Sequence, residues 1–228
     1  MRIVFNIGGS VFCPSGMPDI AYVKKFSRFV SALRKGKHKI LVVVGGGGIA
    51  RKYIEATRSF NPSEDFLDRI GILGTRMNAM VLIASLGKNA YGKVVKNKEE
   101  LEHAMSSGNI VVMGGTVPGQ TTDAVTIAAA ELFKADLVVI GTDVDGVYDR
   151  DPKKYKKAKL LENMTVEELL RVIKTKKHEA KPVAVIDPVA VELLRGTKTK
   201  TIVLNGKKIK NMEKAIEGKK FVGTTIGG

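Results

Sequence analysis

The stretch IVVMGGTVPGQTTDAVTIAAAELFKADLVVIGTD (residues 110–143) decides the predicted fold. Its apolar run at 110–113 predicts a strand that ends in two glycines, residues 122–133 predict a helix, and residues 137–140 predict a second strand. Both strands are continuously apolar rather than alternating, which is typical of strands buried on both faces of a parallel sheet. The stretch therefore predicts parallel strands covered by helices.

The same order of strand, glycine-containing loop and helix occurs earlier in the chain. Residues 2–7 predict a strand that ends in GGS (8–10), and residues 41–44 predict a strand that ends in four glycines. Three further segments have helical periodicity, at 21–35, 49–59 and about 64–86. We therefore expect one α/β domain over 1–228, a three-layer α/β/α sandwich around a mostly parallel sheet. Ligands are expected beyond the carboxyl ends of its strands.

The C-terminal part predicts shorter elements of the same kinds. Asp145-Gly146 indicates a hairpin turn. Thr165 and Glu168 have the spacing of a helix capping box. Three elements are expected to complete the sheet and its cover: a helix at about 188–195, a strand at 200–205 and a final strand near 220–225.

The composition is that of a soluble globular protein, with 44% hydrophobic and 27% charged residues. No apolar run approaches the roughly 20 residues that span a bilayer. The apolar run at 3–7 predicts a strand, and no charged region with a long apolar core precedes it, so we expect no secretory signal. The single Cys13 cannot form an internal disulfide. We expect a cytoplasmic protein without a membrane partner.

The formal net charge of +15 raises the alternative of a nucleic-acid-binding protein. The densest groups of lysines lie at 153–159, 174–177 and 198–210. They are spread over surface connections, and few aromatic residues lie among them. A solvated lysine-rich surface explains this distribution better, so no nucleic-acid partner is expected.

Two glycine-containing loops are candidate phosphate sites. Gly8-Gly9-Ser10 offers backbone N–H groups and a hydroxyl, although such a tripeptide is also a common plain turn. The glycines at 45–48 lead into a helix whose N-terminus favours an anion. Arg51 follows in the first turn, where its guanidinium could bind a phosphate through two hydrogen bonds. A flexible loop with an ordinary surface arginine is the alternative reading.

Two further loops carry carboxylates and hydroxyls after predicted strands. Thr121 or Thr122 can cap the helix that begins at Asp123. Asp123 either favours the positive end of that helix or organises cationic groups and a magnesium–nucleotide complex. The loop GTDVDGVY (141–148) could hold an adenine and a ribose, although Asp145 could belong only to a turn.

These motifs, in this order, resemble the amino acid kinase family over essentially the whole chain. The landmarks are GGS (8–10), VVVGGGG (42–48), TTDA (121–124), TDVDGVYDRDP (142–152) and IDPVA (186–190). Within the family, three segments are similar to the uridylate kinases of archaea: GGGGIARKY (45–53), FLDRIGILGTRMNAM (66–80) and GGTVPGQTTDA (114–124).

The resemblance implies phosphoryl transfer from magnesium-bound ATP to UMP, giving ADP and UDP, a step of pyrimidine nucleotide biosynthesis. It implies Mg²⁺ carried with ATP, with no metal ligand assigned to the protein, and a homohexamer. It also implies that acceptor binding falls to residues of about 1–135 and ATP binding to residues of about 136–228.

The resemblance implies three groups of site residues. Catalysis is implied for Arg51, Asp123 and Asp187. UMP binding is implied for Gly46, Arg51, Asp68, Thr116, Val117, Pro118, Gly119, Gln120, Thr121 and Thr122. ATP binding is implied for Gly8, Gly9, Ser10, Gly47, Arg51, Thr142, Asp143, Tyr148 and Asp151.

One position departs from the family pattern. Many members have a lysine two residues before the glycine pair, and this chain has Asn6. Phosphoryl transfer depends on positioning and charge neutralisation. Either Arg51, the metal and the helix N-termini are enough to neutralise the charge of the transferred phosphoryl group here, or another lysine enters the site.

The alternatives are another small-acceptor kinase of the family or a non-catalytic nucleotide- or oxyanion-binding protein, which Asn6 would favour. An isopentenyl phosphate kinase would have a histidine where this chain has Val44, and His38, His103 and His178 lie elsewhere. Aspartokinases usually carry an additional regulatory domain, for which 228 residues are too few. Carbamate and glutamate kinases stay open as alternatives, although they lack the Thr-Thr-Asp pattern.

Overall fold

The computed structural model describes residues 1–175, 186–197 and 199–227. The described strands are β1 Arg2–Ile7, β2 Lys39–Val44, β3 Ala90–Val95, β4 Ile110–Met113, β5 Leu137–Thr142, β6 Asn163–Met164, β7 Lys200–Asn205 and β8 Thr224–Ile226. The described α-helices are α1 Gly9–Phe12, α2 Ile20–Lys35, α3 Gly47–Arg58, α4 Glu64–Leu86, α5 Lys98–Met105, α6 Thr122–Phe133, α7 Val166–Thr175, α8 Pro188–Leu194 and α9 Ile209–Ile216. His178 and the lysines at 176, 177 and 198 lie outside the described residues.

The strands form one eight-stranded sheet in the order β3-β4-β2-β1-β5-β7-β8-β6. Every neighbouring pair is parallel except β7 with β8, which is antiparallel. The mostly parallel sheet predicted from the continuous apolar runs is therefore confirmed. β1 lies inside the sheet, between β2 and β5, so the loop after β1 has a strand-end loop on either side.

Helices cover both faces of the sheet. On one face, Phe5 of β1 packs with Phe26 of α2 and Leu82 of α4 in a core that also includes α9. On the other face, Val4 of β1 shares a second core with Ile127 of α6 and with residues of α5, α7 and α8. The three-layer α/β/α sandwich is thus confirmed, and successive residues of β1 point into different cores.

Local signals explain why several helices begin where the sequence predicts. The Thr165 N–H donates to Glu168 Oε2 at 2.8 Å, and the Glu168 N–H donates to Thr165 Oγ1 at 3.1 Å. This reciprocal pair is the predicted capping box of α7. The Ser63 side chain caps α4, and the Thr121 side chain caps α6.

The predicted hairpin turn at Asp145-Gly146 is wrong. Antiparallel pairing occurs farther along the chain, where Tyr148 bridges Leu160. A Cβ atom at Gly146 would lie 2.7 Å from Thr224 Oγ1, so the glycine permits close packing against β8. The Asp145 carboxylate instead accepts from Lys208 Nζ at 2.7 Å.

Other elements differ in extent or were not expected. The elements that were not predicted are α1, β3, α5, β6 and α9. The last strand spans Thr224–Ile226 rather than 220–225. Gly92 and Lys93 interrupt the apolar pattern of β3, which is an edge strand. By length and composition alone, the segment Glu64–Asn89, which contains α4, could span a membrane. In its most apolar 18-residue stretch, 44% is buried inside the protein. Leu82 and its neighbours on α4 belong to the core of the sandwich.

Candidate active site

The glycine-containing loops meet at the carboxyl edge of the sheet, as predicted. The loops after β4, β2, β1 and β5 lie side by side because these strands are adjacent and parallel. The Gly8 N–H donates to the Gly141 carbonyl at 2.9 Å, which joins the loop after β1 to the end of β5. The Gly45 N–H donates to the Ile7 carbonyl at 2.9 Å, which joins the loop after β2 to the end of β1.

The loops after β1 and β2 touch backbone to backbone. A Cβ atom on Gly9 would lie 2.0 Å from the Gly47 nitrogen, and a Cβ atom on Gly47 would lie 2.2 Å from the Gly9 carbonyl oxygen. Gly47 also has φ of +61°, in the left-handed region that favours glycine. Close approach of the two loops therefore requires glycine at both positions, in addition to any role in phosphate binding.

The touching loops offer unpaired donors. Within the described part of the chain, the N–H groups of Gly9, Ser10, Gly46 and Gly47 have no hydrogen-bond partner. Gly9 begins α1 and Gly47 begins α3, so these donors lie at helix N-termini, which favour anions. This arrangement can bind phosphate oxygens without any side chain.

A cleft of about 300 Å³ opens beside these loops. Eight residues expected to bind nucleotide line it: Gly46, Gly47, Arg51, Asp68, Val117, Gln120, Thr121 and Thr122. Six other lining residues were not expected: Ala50, Ile54, Gly71, Ile72, Thr75 and Gly115. Several follow Asp68 on α4 at helical spacing, so periodicity could have found them. Thr116 and Pro118 line a neighbouring groove instead.

The predicted acceptor residues are held by specific contacts. Asp68 Oδ2 accepts from the Gly119 N–H at 2.6 Å, which ties α4 to the loop after β4. The Asn78 amide nitrogen donates to the carbonyls of Gly45 at 2.8 Å and Gly46 at 3.0 Å. Arg51 is exposed, and its only described hydrogen bond is a long one, 3.4 Å, to the Pro14 carbonyl. The arginine is thus available to an anion in the cleft.

Two carboxylates meet where β1, α6 and α8 converge. Asn6 Nδ2 donates to Asp123 Oδ1 at 2.6 Å, and the Asp187 N–H donates to Asp123 Oδ2 at 3.0 Å. Asp187 Oδ2 accepts from Thr121 Oγ1 at 3.0 Å and from the Ala190 N–H at 3.2 Å. The caps of α6 and α8 are therefore hydrogen-bonded to each other, and Asn6 and Asp123 join them to the central strand.

The Asp123 carboxyl group is enclosed, although the residue as a whole is partly exposed. Its burial raises the pKa of Asp123, and the nearby charge of Asp187 adds to the increase, while hydrogen bonds from the Asp187 backbone and Asn6 oppose it. No ion pair reaches Asp123 from the described residues. Asn6 is 1% exposed, and its Oδ1 atom has no hydrogen-bond partner within the described chain.

Four of the expected ATP-binding residues, Thr142, Asp143, Tyr148 and Asp151, lie at or after the end of β5. The other five, Gly8, Gly9, Ser10, Gly47 and Arg51, follow β1 and β2. Thr142 Oγ1 donates to Asp143 Oδ1 at 3.4 Å, and Lys153 forms an ion pair with Asp143. Partial burial raises the pKa of Asp143, but the hydrogen bond and charge of Lys153 outweigh that effect and lower it below its ordinary value. Asp151 Oδ1 accepts from the Lys153 N–H at 2.9 Å, which orders the same turn.

Two lysines near the end of β5 were not expected as site residues. Lys153 pairs with Asp143, and Lys208 pairs with Asp145. Lys208 and Asp145 lie close enough to Tyr148 for their charges to act on its hydroxyl. Burial raises the pKa of Tyr148, the Asp145 charge adds to this, and Lys208 opposes it. Both lysines follow turns in lysine-rich segments, so their sequence context did not distinguish them.

The donor set at the centre fits Mg²⁺ that arrives with a nucleotide. In the described ranges, no group of three or more His, Cys, Asp or Glu side chains could hold a metal ion. The Asp187 backbone N–H donates to the Asp123 carboxylate, and the Asp187 charge acts on it, so the two carboxylates lie near each other. Mg²⁺ is usually held by one or two carboxylates together with substrate phosphates and several waters. A nucleotide-borne ion therefore needs no third protein ligand here.

Comparisons with known proteins agree with this geometry. The sequence profile of the amino acid kinase family matches residues 1–205. The chain is 42% identical to uridylate kinase from Methanocaldococcus jannaschii over 230 residues, covering 100% of both chains. It is 44% identical to uridylate kinase from Pyrococcus abyssi, covering 99% of both.

A solved structure shares the whole fold. The crystal structure of uridylate kinase from Archaeoglobus fulgidus matches with a TM-score of 0.88 and 36% identity, covering 100% of both chains. The profile match spans the strand-end segments at 8–10, 45–48, 114–122 and 141–148, and residues of the second and third of these segments line the cleft. Sequence, fold and site therefore lead to one conclusion, that the chain belongs to the amino acid kinase family.

Proposed function

We propose that this protein transfers the γ-phosphoryl group of ATP to UMP, giving UDP and ADP, in pyrimidine nucleotide biosynthesis. Relatives named uridylate kinase match the whole chain at 42–44% identity. The observation that carries the proposal is the position of the cleft, which opens at the contact between the loops after β1 and β2. Unpaired N–H groups lie at that contact, where a transferring phosphoryl group is neutralised by charge and dipoles.

The two substrates approach this contact from opposite sides. Residues of about 1–135 hold UMP, with Arg51 at its phosphate and Asp68 at the ribose, beside the loop from Thr116 to Thr122. Residues of about 136–228 hold ATP, through Thr142, Asp143, Tyr148 and Asp151. The order of the strands supports this division, because the loop after β1 separates the loop after β2 from the loop after β5. Fixing both substrates in line is the larger part of catalysis in such a reaction.

Charge is neutralised without a lysine on β1. Gly8, Gly9 and Ser10 line the transferring group. Gly9, Ser10 and Gly47 offer it backbone N–H groups that have no partner among the described residues, and Arg51 supplies a cation. Asp123 and Asp187 would hold Mg²⁺ carried with ATP, and bound there it would neutralise charge on the phosphate oxygens. Asn6 supports this centre through its hydrogen bond to Asp123.

Replacement of Arg51 tests the acceptor side of the proposal. Arg51→Ala should raise the Michaelis constant for UMP by about tenfold or more and that for ATP much less, because a charged hydrogen bond contributes about 1.5–3 kcal/mol. Arg58→Ala is the matched control, since Arg58 is an exposed arginine of the same helix that pairs with Glu64. Equal effects on both substrates, or no effect, would remove Arg51 from the acceptor site.

The protein is proposed to assemble as a homohexamer. Its proposed location is the cytoplasm. Exposed apolar side chains on α4 support self-association: Phe66, Leu73, Met77 and Met80 are 49–55% exposed and follow one another at helical spacing. Light scattering of the purified protein should give six times the chain mass. Met77→Glu should lower that mass without unfolding the chain, and a monomeric parent protein would contradict the assembly.

A further inference from the structure

The loop after β4 separates two cavities. On one side lies the acceptor cleft, which Gly115 and Val117 line. On the other side lies a groove of about 390 Å³, which Thr116, Pro118 and Arg76 line. Residues 115–118 therefore form the wall between the two spaces, and the orientation of their peptide groups determines what each space contacts.

Arg76 holds this wall from the groove side. Its Nε atom donates to the Gly115 carbonyl at 3.1 Å, and its Nη2 atom donates to the Thr116 carbonyl at 3.0 Å. The preceding residue of α4 contributes as well, because Thr75 Oγ1 accepts from the Gly115 N–H at 2.6 Å. No carboxylate of the described residues pairs with Arg76, so its charge-assisted bonds go to the loop alone.

The bonds from Arg76 to the two carbonyls also determine the direction of the N–H groups that follow them. The chain has no cis peptide bond among the described residues. In a trans peptide the C=O and the following N–H point in opposite directions. The Gly115 carbonyl faces Arg76 in the groove, so the Thr116 N–H points away from it, towards the cleft. The same holds for the Thr116 carbonyl and the Val117 N–H.

Neither the Thr116 N–H nor the Val117 N–H has a hydrogen-bond partner in the part of the chain that the structure describes. Two consecutive unpaired donors at a cleft wall suit the oxygen atoms of a nucleotide, either the carbonyls of a uracil or the oxygens of its phosphate.

We propose that Arg76 is a positioning residue for the acceptor nucleotide. It turns the carbonyls of Gly115 and Thr116 out of the cleft and so presents the N–H groups of Thr116 and Val117 to acceptor oxygens. The identity of the acceptor as UMP rests on the proposed function, whereas the role of Arg76 holds for whichever nucleotide the cleft binds. Arg76 contacts no substrate itself and acts through the loop.

The test compares two arginines of α4. Arg76→Met keeps the length and apolar stem of the side chain and removes both bonds to the loop. Arg69→Met is the matched control, because Arg69 lines the same groove but pairs with Asp65. We expect Arg76→Met to raise the Michaelis constant and the calorimetric dissociation constant for UMP by about tenfold. The turnover number and the Michaelis constant for ATP should stay within about twofold, and Arg69→Met should match the parent.

Two further measurements separate positioning from a general loss of structure. Arg76→Lys retains one charged donor and should recover part of the UMP affinity, which a merely structural defect would not show. Binding of ribose 5-phosphate distinguishes the two kinds of acceptor oxygen. If Arg76→Met weakens UMP but not ribose 5-phosphate, the N–H groups contact the base, and if it weakens both equally, they contact the phosphate.

Several outcomes would overturn the assignment. Unchanged UMP affinity in folded Arg76→Met, an equal loss of UMP and ATP affinity, or an equal defect in Arg69→Met would each do so. If Arg76→Met does not fold, the comparison of Arg76→Lys with Arg69→Lys decides in the same way. Failure of the proposed function is a separate result, because the parent protein would then phosphorylate another acceptor, and the same variants are measured with that acceptor.

Discussion

Replacement of Gly47 by alanine isolates the contact on which the centre depends. Gly47 has φ of +61°, and an added Cβ would lie 2.2 Å from the Gly9 carbonyl oxygen and 2.4 Å from the Cys13 carbonyl oxygen. Both neighbours are backbone atoms, which cannot rotate away as a side chain can. Gly218→Ala is the matched control, because Gly218 has φ of +70° and nothing within 4 Å of the added Cβ.

Both variants place alanine in a left-handed backbone conformation, but only one of them also forces the new Cβ atom against neighbouring backbone. A left-handed conformation costs about 1–2 kcal/mol for alanine at either position. Only Gly47→Ala adds overpacking, which costs about 1–3 kcal/mol when neighbouring backbone must shift. We therefore expect Gly218→Ala to lower the free energy of unfolding by about 1–2 kcal/mol and Gly47→Ala by about 2–5 kcal/mol.

Urea unfolding and steady-state kinetics read out the two effects. The loops after β1 and β2 must separate in Gly47→Ala, and a displacement of about 1 Å at the reacting centre can lower turnover by about 100-fold. Gly218→Ala should keep the turnover of the parent, since Gly218 lies after α9 and away from the cleft. Equal stability losses in the two variants, or full turnover in Gly47→Ala, would refute the backbone contact as the organiser of the site.

Three further predictions concern carboxylates and the central strand. Asp68→Ala removes the acceptor of the Gly119 N–H and should raise the Michaelis constant for UMP by about tenfold while leaving that for ATP nearly unchanged in the same steady-state assay. Asn6→Lys places an ammonium beside the enclosed Asp123 carboxylate, where it adds to the charge neutralisation by Arg51 and the backbone donors, so turnover should rise with little change in either Michaelis constant; a lower or unchanged turnover would show that these groups already suffice. Because the folded pKa of Asp123 is raised, the folded state binds the proton more tightly than the unfolded state. The unfolding free energy of the parent relative to Asp123→Asn should then fall as pH rises from about 3.8 through the folded pKa, and a difference that is constant or rises with pH in urea titrations would contradict the burial of this carboxylate.

The central strands and helices were predictable because their signals are local. β1, β4, α4 and α6 have the predicted bounds, since uninterrupted apolar runs or capping side chains mark their ends. β3 was not predictable in the same way, because Gly92 and Lys93 break its pattern at the exposed edge of the sheet. An edge strand has one pairing neighbour, so fewer of its residues need to be apolar.

The site was predictable only where its residues stand next to glycine-containing loops. Arg51 lies a few residues after its glycines, so the sequence alone indicates an anion site there. Arg76 and Asn78 hold loops that lie 32–40 residues away, and neither has a local motif. The ion pairs of Lys153 with Asp143 and of Lys208 with Asp145 form only in the folded chain. Contacts across the chain depend on the packing of α4 and the loops, which no local pattern encodes.

Release of ADP, measured with UMP, CMP, AMP, isopentenyl phosphate and carbamate as acceptors, shows which phosphoryl acceptor this kinase uses. UMP should support rapid turnover, with one UDP formed for each ADP released. CMP and AMP should react far more slowly, because a site that hydrogen-bonds a uracil leaves its polar groups unpaired with other bases. Comparable rates for the three nucleotides, faster reaction of a non-nucleotide acceptor, or ADP release with none of the five would contradict the proposed transfer to UMP.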